Sequence, residues 1–123
     1  MENSIEKLTA AIKRYYRRNK SLPDTLSKLS VSTDKTVRSA VKAATHCGCI
    51  EFFAKKQTPL LNRETSSHIK GKLCNVCRDE IEQDIGQTFF YLFSLCDAFG
   101  FNPEKIIENQ AEQVEILGKF NLR

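Results

Sequence analysis

The sequence predicts an all-α protein with four main helices in a single helical domain, residues 1–123. Apolar residues recur at intervals of three and four along most of the chain, which is typical of amphipathic helices. No run alternates convincingly at the two-residue interval of a half-buried strand. A chain of 123 residues has room for one domain, and its apolar content of 41% excludes an intrinsically disordered protein.

Two helices are predicted in the first half of the chain. The first begins near Ile5 and ends before Leu22-Pro23. After a connector, Ser32-Thr33-Asp34 offers N-caps for a second helix that continues to Lys55 and Lys56, where cations favour a helix C-terminus. Its expected inward-facing positions are Val37, Ala40, Val41, Ala44, Cys47, Ile50 and Phe53 or Ala54.

Two further helices are predicted after residues 57–73, a segment without a steady period that we interpret as a loop. The third helix follows Cys74 and ends at Gly100, since glycine favours the position after a helix. Asn102-Pro103-Glu104 supplies a cap, a first-turn proline and a carboxylate for the fourth helix. The apolar stripe of the fourth helix is Ile107, Ala111, Val114 and Leu117.

The charge is divided unevenly along the chain. Residues 1–72 carry 15 Lys+Arg and 6 Asp+Glu, a difference of +9, whereas residues 73–123 carry 4 and 9, a difference of −5. A basic half favours a nucleotide, another phosphate compound, a nucleic acid or an acidic neighbouring subunit as partner. Many phenylalanines for so small a core predict a homo-oligomer in which a second subunit covers some of them.

The longest hydrophobic run, Thr88 to Phe101, is too short to span a membrane, and the N-terminus lacks the layout of a signal peptide. We therefore expect a cytoplasmic protein that does not contact membranes. In a reducing compartment, five cysteines indicate free thiols or a metal site.

The spacing of the cysteines predicts a possible zinc site. Two soft ligands stand three residues apart in two places, which gives the four-ligand set His46, Cys49, Cys74 and Cys77. Cys47 and Cys49 are less suited to one site, because residues two apart on a helix point about 200° away from each other. Cys47 and Cys96 are interpreted as packing residues of the core.

The third helix also resembles a known family. The stretch from Asp84 to Leu92, continued from Leu95 to Ile107, resembles the second half of the MazG-like all-α nucleoside triphosphate pyrophosphohydrolases. The matching place on the second helix is His46–Glu51, centred on Gly48. The resemblance implies a four-helix bundle of that type, and we expect Gly48 and Gly86 to mark a close crossing of the second and third helices.

The family hydrolyses the α–β phosphate bond of a nucleotide with water activated by Mg²⁺. By resemblance, its four metal ligands fall on His46, Cys49, Asp84 and Gln87. If the chain is catalytic, Asp84 with Glu80 or Glu51 would hold Mg²⁺ or Mn²⁺. Imidazole and thiolate suit Mg²⁺ poorly. A nucleotide-binding protein with weakened or lost catalysis is therefore as plausible as an enzyme, and the sequence leaves the choice open.

The alternative function is that of a DNA-binding regulator. Residues 22–51 resemble the helix-turn-helix of winged-helix transcription regulators, with a recognition helix that starts near Thr33. The DNA-contacting residues of this alternative are Lys35, Thr36 and Arg38. The basic first half agrees with it, because phosphate contacts need Lys and Arg. The helical stripe that continues past Phe52 in place of a hairpin wing argues against it.

Overall fold

The computed structural model describes residues 2–16, 21–54 and 67–120, with side chains as far as Gly118. The described residues form four α-helices and one antiparallel hairpin, so the prediction of a mainly helical chain is confirmed. The helices are α1 (Ser4–Ala11), α2 (Leu22–Lys42), α3 (Asn75–Phe99) and α4 (Pro103–Phe120); the strands are β1 (Ile50–Phe52) and β2 (Ile69–Gly71). Helices α1 and α2 continue into π-helical turns at Ile12–Tyr16 and Ala43–Cys47.

The predicted junction between α3 and α4 is confirmed. Gly100 has φ +74°, and the N–H of Phe101 donates to the carbonyl of Cys96 at 2.8 Å, which closes α3 with a left-handed C-terminal turn. The side chain of Asn102 then accepts a hydrogen bond from the N–H of Glu104 at 3.0 Å. Helix α4 therefore begins at Pro103, whose missing N–H costs nothing in the first turn.

Helix α2 begins ten residues earlier than predicted, and this corrects the expected cap at Ser32-Thr33-Asp34. The N–H of Thr25 donates to the carbonyl of Ser21 at 2.9 Å, so the first turn forms around Pro23. The hydroxyl of Thr36 donates to the carbonyl of Ser32 at 2.9 Å, a bond that accommodates these residues inside a helix. Residues 22–42 are thus one helix, without the turn that a helix-turn-helix requires.

The second predicted helix ends earlier than expected, and a strand follows it. Gly48 has φ +80°, and its N–H donates to the carbonyl of Ala43 at 2.9 Å, which ends the helical turn. β1 then pairs with β2, with Ile50 opposite Gly71 and Phe52 opposite Ile69. The predictions of a helix through Ile50 and Phe53 and of a loop at residues 69–71 are therefore wrong. The expected helix end at Lys55 and Lys56 lies outside the described residues.

The chain divides into two compact units, Met1–Ser30 with Thr88–Arg123, and Val31–Gln87. In the first unit, Ile12 and Thr25 are fully buried. Tyr16 contacts Thr25 and Phe90. Its hydroxyl is 3.1 Å from Thr25 Oγ1, and its ring meets the Phe90 ring edge-on, with the ring centres 4.9 Å apart. The second unit buries Ala43 and Ile50, and the hydroxyl of Ser39 donates to the carboxylate of Asp84.

The apolar stripe predicted for α4 is exposed. Ile107, Val114 and Leu117 each leave between 44% and 48% of their surface accessible, so the described residues do not bury this helix face. None of the described helices combines the length and the apolar character that a membrane crossing requires.

Replacing Gly71 with alanine is expected to lower the free energy of unfolding by about 2–4 kcal/mol. Gly71 has φ +90°, and an added Cβ would lie 2.7 Å from the carbonyl oxygen of Cys49. Urea unfolding measures the effect. The control is Gly86→Ala in α3, where a Cβ would meet no described atom within 4 Å. This substitution should raise the free energy of unfolding by up to about 1 kcal/mol. Equal effects of the two substitutions would contradict the close approach at Gly71.

Candidate metal site

Four cysteine sulfurs lie together in the second unit. The Sγ atoms of Cys47, Cys49, Cys74 and Cys77 are all within 4.8 Å of one another, and those of Cys47 and Cys74 are 3.8 Å apart. A tetrahedral zinc ion with zinc–sulfur distances of about 2.3 Å places its ligands about 3.8 Å apart. Cys47 is exposed and the other three are half-buried. The cluster can therefore hold a metal ion such as zinc.

The first pair of sulfurs is brought together by the end of the π-helical turn. Cys47 is its last residue, and Gly48 ends the turn in the left-handed conformation. Cys49 then precedes β1, with its Sγ 3.8 Å from the carbonyl oxygen of Ala43. Two residues that would point apart on a continuous helix thus converge because the helix stops between them. π-Helical turns often occur at functional sites.

The second pair of sulfurs lies at the start of α3. Cys74 precedes the helix, its carbonyl accepts a hydrogen bond from the N–H of Arg78 at 2.9 Å, and Cys77 lies in the first turn. The N–H of Cys77 donates to the Sγ of Cys74 at 3.4 Å. The pairing of Ile50 with Gly71 brings this helix start beside Cys49. The hairpin therefore unites two cysteine pairs that are distant in sequence.

The thiols of the cluster differ in acidity. The hydrogen bond from the N–H of Cys77, assisted by the Cys77 side chain, lowers the pKa of Cys74 to about 7. Hydrogen bonding to Cys74 raises the pKa of Cys77 and that of Cys47. Outside the cluster, burial raises the pKa of the Cys96 thiol. One sulfur of the four is thus predisposed to the thiolate form, which is the form that binds metals.

The predicted zinc set and the observed cluster share Cys49, Cys74 and Cys77. The fourth member is Cys47, which the sequence analysis assigned to core packing, whereas the expected ligand His46 is exposed and is not part of the group. The sequence signal for Cys47 as a ligand is Gly48 between the two cysteines, because glycine is the residue that most readily ends a helix in a left-handed turn. Both thiols then fall on the same side of the turn.

The residues expected to hold Mg²⁺ or Mn²⁺ are not gathered into one site. The carboxylate of Asp84 accepts a hydrogen bond from Ser39, while Glu51, Glu80 and Gln87 are exposed. Apart from the cysteine cluster, the described residues contain no group of three or more His, Cys, Asp and Glu side chains close enough to share an ion. The expected close helix crossing is also not found, because a Cβ on Gly48 or Gly86 would meet no described atom within 4 Å.

The residues of the DNA-binding alternative lie on α2. Lys35 and Arg38 are exposed, and Arg38 lies 3.7 Å from the carboxylate of Asp34 in an ion pair along the helix. Thr36 is half-buried and bonded to the carbonyl of Ser32. These side chains lie in the interior of a long helix rather than at the start of a recognition helix.

A separate cavity of about 540 Å³ lies in the first unit, lined by α1 and by the junction of α3 with α4. Its charged lining side chains are Glu6, Lys13, Asp97 and Glu104. Three carboxylates against one ammonium group repel an anion, so the charge of this cavity does not favour a nucleoside triphosphate.

Comparison of the chain with protein-family models, with curated proteins and with solved structures found no significant match. The resemblance to the MazG-like enzymes stays a prediction from sequence. The chemistry of the cysteine cluster is the observation from which a function can be argued.

In metal-free protein at pH 7, we expect iodoacetamide to modify Cys74 before the other cysteines. Alkylation requires the thiolate, and a pKa of about 7 leaves Cys74 half-ionised, whereas the pKa values of Cys47, Cys77 and Cys96 are raised. Peptide mass spectrometry at short reaction times identifies the site. Cys74→Ser should remove the fast phase. A fast phase that maps to Cys77 would contradict the assigned hydrogen-bond direction.

Proposed function

We propose that this chain is a zinc-binding protein in which Cys47, Cys49, Cys74 and Cys77 hold one structural zinc ion. The observation that carries the proposal is the approach of all four sulfurs to within 4.8 Å of one another. Four thiolates suit zinc and other soft ions, whereas Mg²⁺ and Mn²⁺ require oxygen ligands. Four protein ligands leave no open position for water or substrate, which favours a structural role over a catalytic one.

The zinc ion would stabilise the fold by fixing the hairpin to two helix ends. Cys49 and Cys74 are separated by 24 residues, 50–73, so the ion closes a long loop. Closing a loop removes conformational entropy from the unfolded chain, and the benefit grows with loop length. The three-residue strands β1 and β2 bury little by themselves, since Ile50 is the buried residue among them. A two-stranded hairpin is marginally stable in water without such support.

The nucleotide-binding function inferred from the resemblance remains a separate proposal. It rests on the resemblance of the sequence between Asp84 and Ile107. In it, Asp84 would hold a divalent ion for pyrophosphate hydrolysis together with Glu80 or Glu51, which lie outside that stretch and which the structure does not gather with Asp84 into one site. Pyrophosphate release from a nucleotide panel with Mg²⁺ or Mn²⁺, and its loss in Asp84→Ala, is the measurement that would support it. The zinc proposal does not depend on the outcome, because the two sets of residues differ.

Purified protein is expected to contain about one zinc ion per chain, measured by elemental analysis. Cys47→Ser should lose most of the zinc, because it removes one of four thiolates. The matched controls are Cys96→Ser, which removes a cysteine outside the cluster, and His46→Ala, which removes the neighbouring soft ligand; both should retain zinc. Loss of zinc in His46→Ala with retention in Cys47→Ser would overturn the assignment of the fourth ligand.

Removing the metal with a chelator under reducing conditions is expected to loosen the hairpin, so that its backbone amides lose protection against hydrogen exchange. Amide hydrogen exchange of β1 and β2 should accelerate strongly, while that of α4 should change little, because the ion contacts residues of the second unit alone. Adding back zinc should restore the protection. Unchanged exchange in both strands after complete metal removal would contradict the structural role.

A further inference from the structure

The segment around the zinc cluster is rich in basic residues. From Lys42 to Arg78 it contains seven Lys and Arg residues and two Asp and Glu residues, a difference of +5, although the whole chain has a net charge of +4. The ion pairs of Lys28 with Asp24 and of Arg38 with Asp34 lie on α2, and the lysines of the hairpin take part in neither. Across the strands, Lys70 lies opposite Glu51, and Lys72 follows β2. The two lysines outnumber this one carboxylate, so the hairpin keeps a net positive charge.

Aromatic side chains accompany these cations on both faces of the hairpin. Phe52 pairs across the strands with Ile69, and both side chains are about half exposed, at 51% and 49%. Phe53 follows on the opposite face, where the Nζ of Lys70 lies 3.9 Å from the centre of its ring. Exposed apolar groups of this size, grouped on one small element, indicate a contact surface.

Neutralisation of the metal site accounts for only part of this arrangement. A zinc ion with four thiolates has a net charge of −2, which nearby lysines would stabilise. That role requires neither the exposure of Phe52 and Phe53 nor the contact of Lys70 with an aromatic ring. Cations interleaved with exposed rings are the combination that binds single-stranded nucleic acid, because cations contact phosphates while rings stack on unpaired bases.

We infer that the β1–β2 hairpin binds single-stranded nucleic acid, with Phe52 and Phe53 stacking on bases and Lys70 and Lys72 contacting phosphates. The cation–π contact places the ammonium group of Lys70 over one face of the Phe53 ring, so a base would stack on the opposite face, with Lys70 close enough to reach the same nucleotide. The inference goes beyond zinc binding but uses the hairpin that the ion would hold in place. A duplex offers fewer exposed base faces, so a preference for single strands follows.

The test uses the full chain with its zinc content determined, and a fluorescein-labelled 20-nucleotide oligothymidylate whose anisotropy reports binding. Affinity should fall steeply as salt rises. Replacing both Lys70 and Lys72 with glutamine should flatten the slope of log affinity against log salt by about 1.4, the value for two phosphate contacts on a single strand. Lys7→Gln with Lys105→Gln, two exposed lysines elsewhere, is the control and should leave the affinity and the slope near wild type.

The stacking contribution is tested by Phe52→Ala, which should weaken binding about 10-fold. Its control is Phe89→Ala on α3, because Phe89 has the same exposed fraction of 51% and lies in the other unit. A matched duplex should bind more weakly than the single strand. Equal effects of the Phe52 and Phe89 substitutions, or no binding by zinc-loaded protein at 50 mM salt, would overturn the inference.

Vesicles of anionic phospholipid provide the competing outcome. Hairpin-dependent binding to vesicles without binding to the oligonucleotide would replace nucleic acid with a membrane surface and overturn the inference. The zinc proposal is judged separately by metal content. If the purified protein contains no zinc but binds the oligonucleotide through the hairpin, the metal site is refuted and the binding surface is supported. If the protein contains zinc but binds no oligonucleotide, the metal site is supported and the binding surface is refuted.

Discussion

The left-handed backbone at Gly48 is the constraint on which the arrangement of this protein's metal site depends. It ends the helical turn between Cys47 and Cys49, directs both sulfurs to one side and starts the chain into β1. β1 then pairs with β2, which brings the start of α3 and its two cysteines into contact with the first pair. A side chain at position 48 would strain that conformation, because residues with a Cβ rarely adopt it.

A metal ion would compensate for a small apolar core. The buried hydrophobic side chains of the described residues are Ile12, Ala43 and Ile50, and the other buried positions are mainly small hydroxyl residues. Small domains with little apolar burial commonly rely on metals or disulfides for stability. In the second unit, the cluster lies beside two of the three buried apolar residues, so zinc and the local core would stabilise the same elements.

The protein presents two exposed surfaces of different character. The hairpin combines aromatic rings with cations, which suits a polyanion. Helix α4 combines exposed aliphatic residues with carboxylates, among them Glu108, Glu112 and Glu115, and this composition does not attract phosphates. The expected homo-oligomer, in which a second subunit covers some of the phenylalanines, stays a prediction.

The sequence by itself determined the mainly helical character, the bounds of α3, the start of α4 and three of the four cysteines of the cluster. These features follow from local patterns: apolar periodicity, the Gly100 turn, the Asn102 cap and the Cys74-x-x-Cys77 spacing. The tertiary structure alone decided that Cys47 replaces His46 and that Ile50–Phe52 is a strand. Both depend on pairing with residues about twenty positions away, and a three-residue strand has no periodicity of its own to reveal that partner.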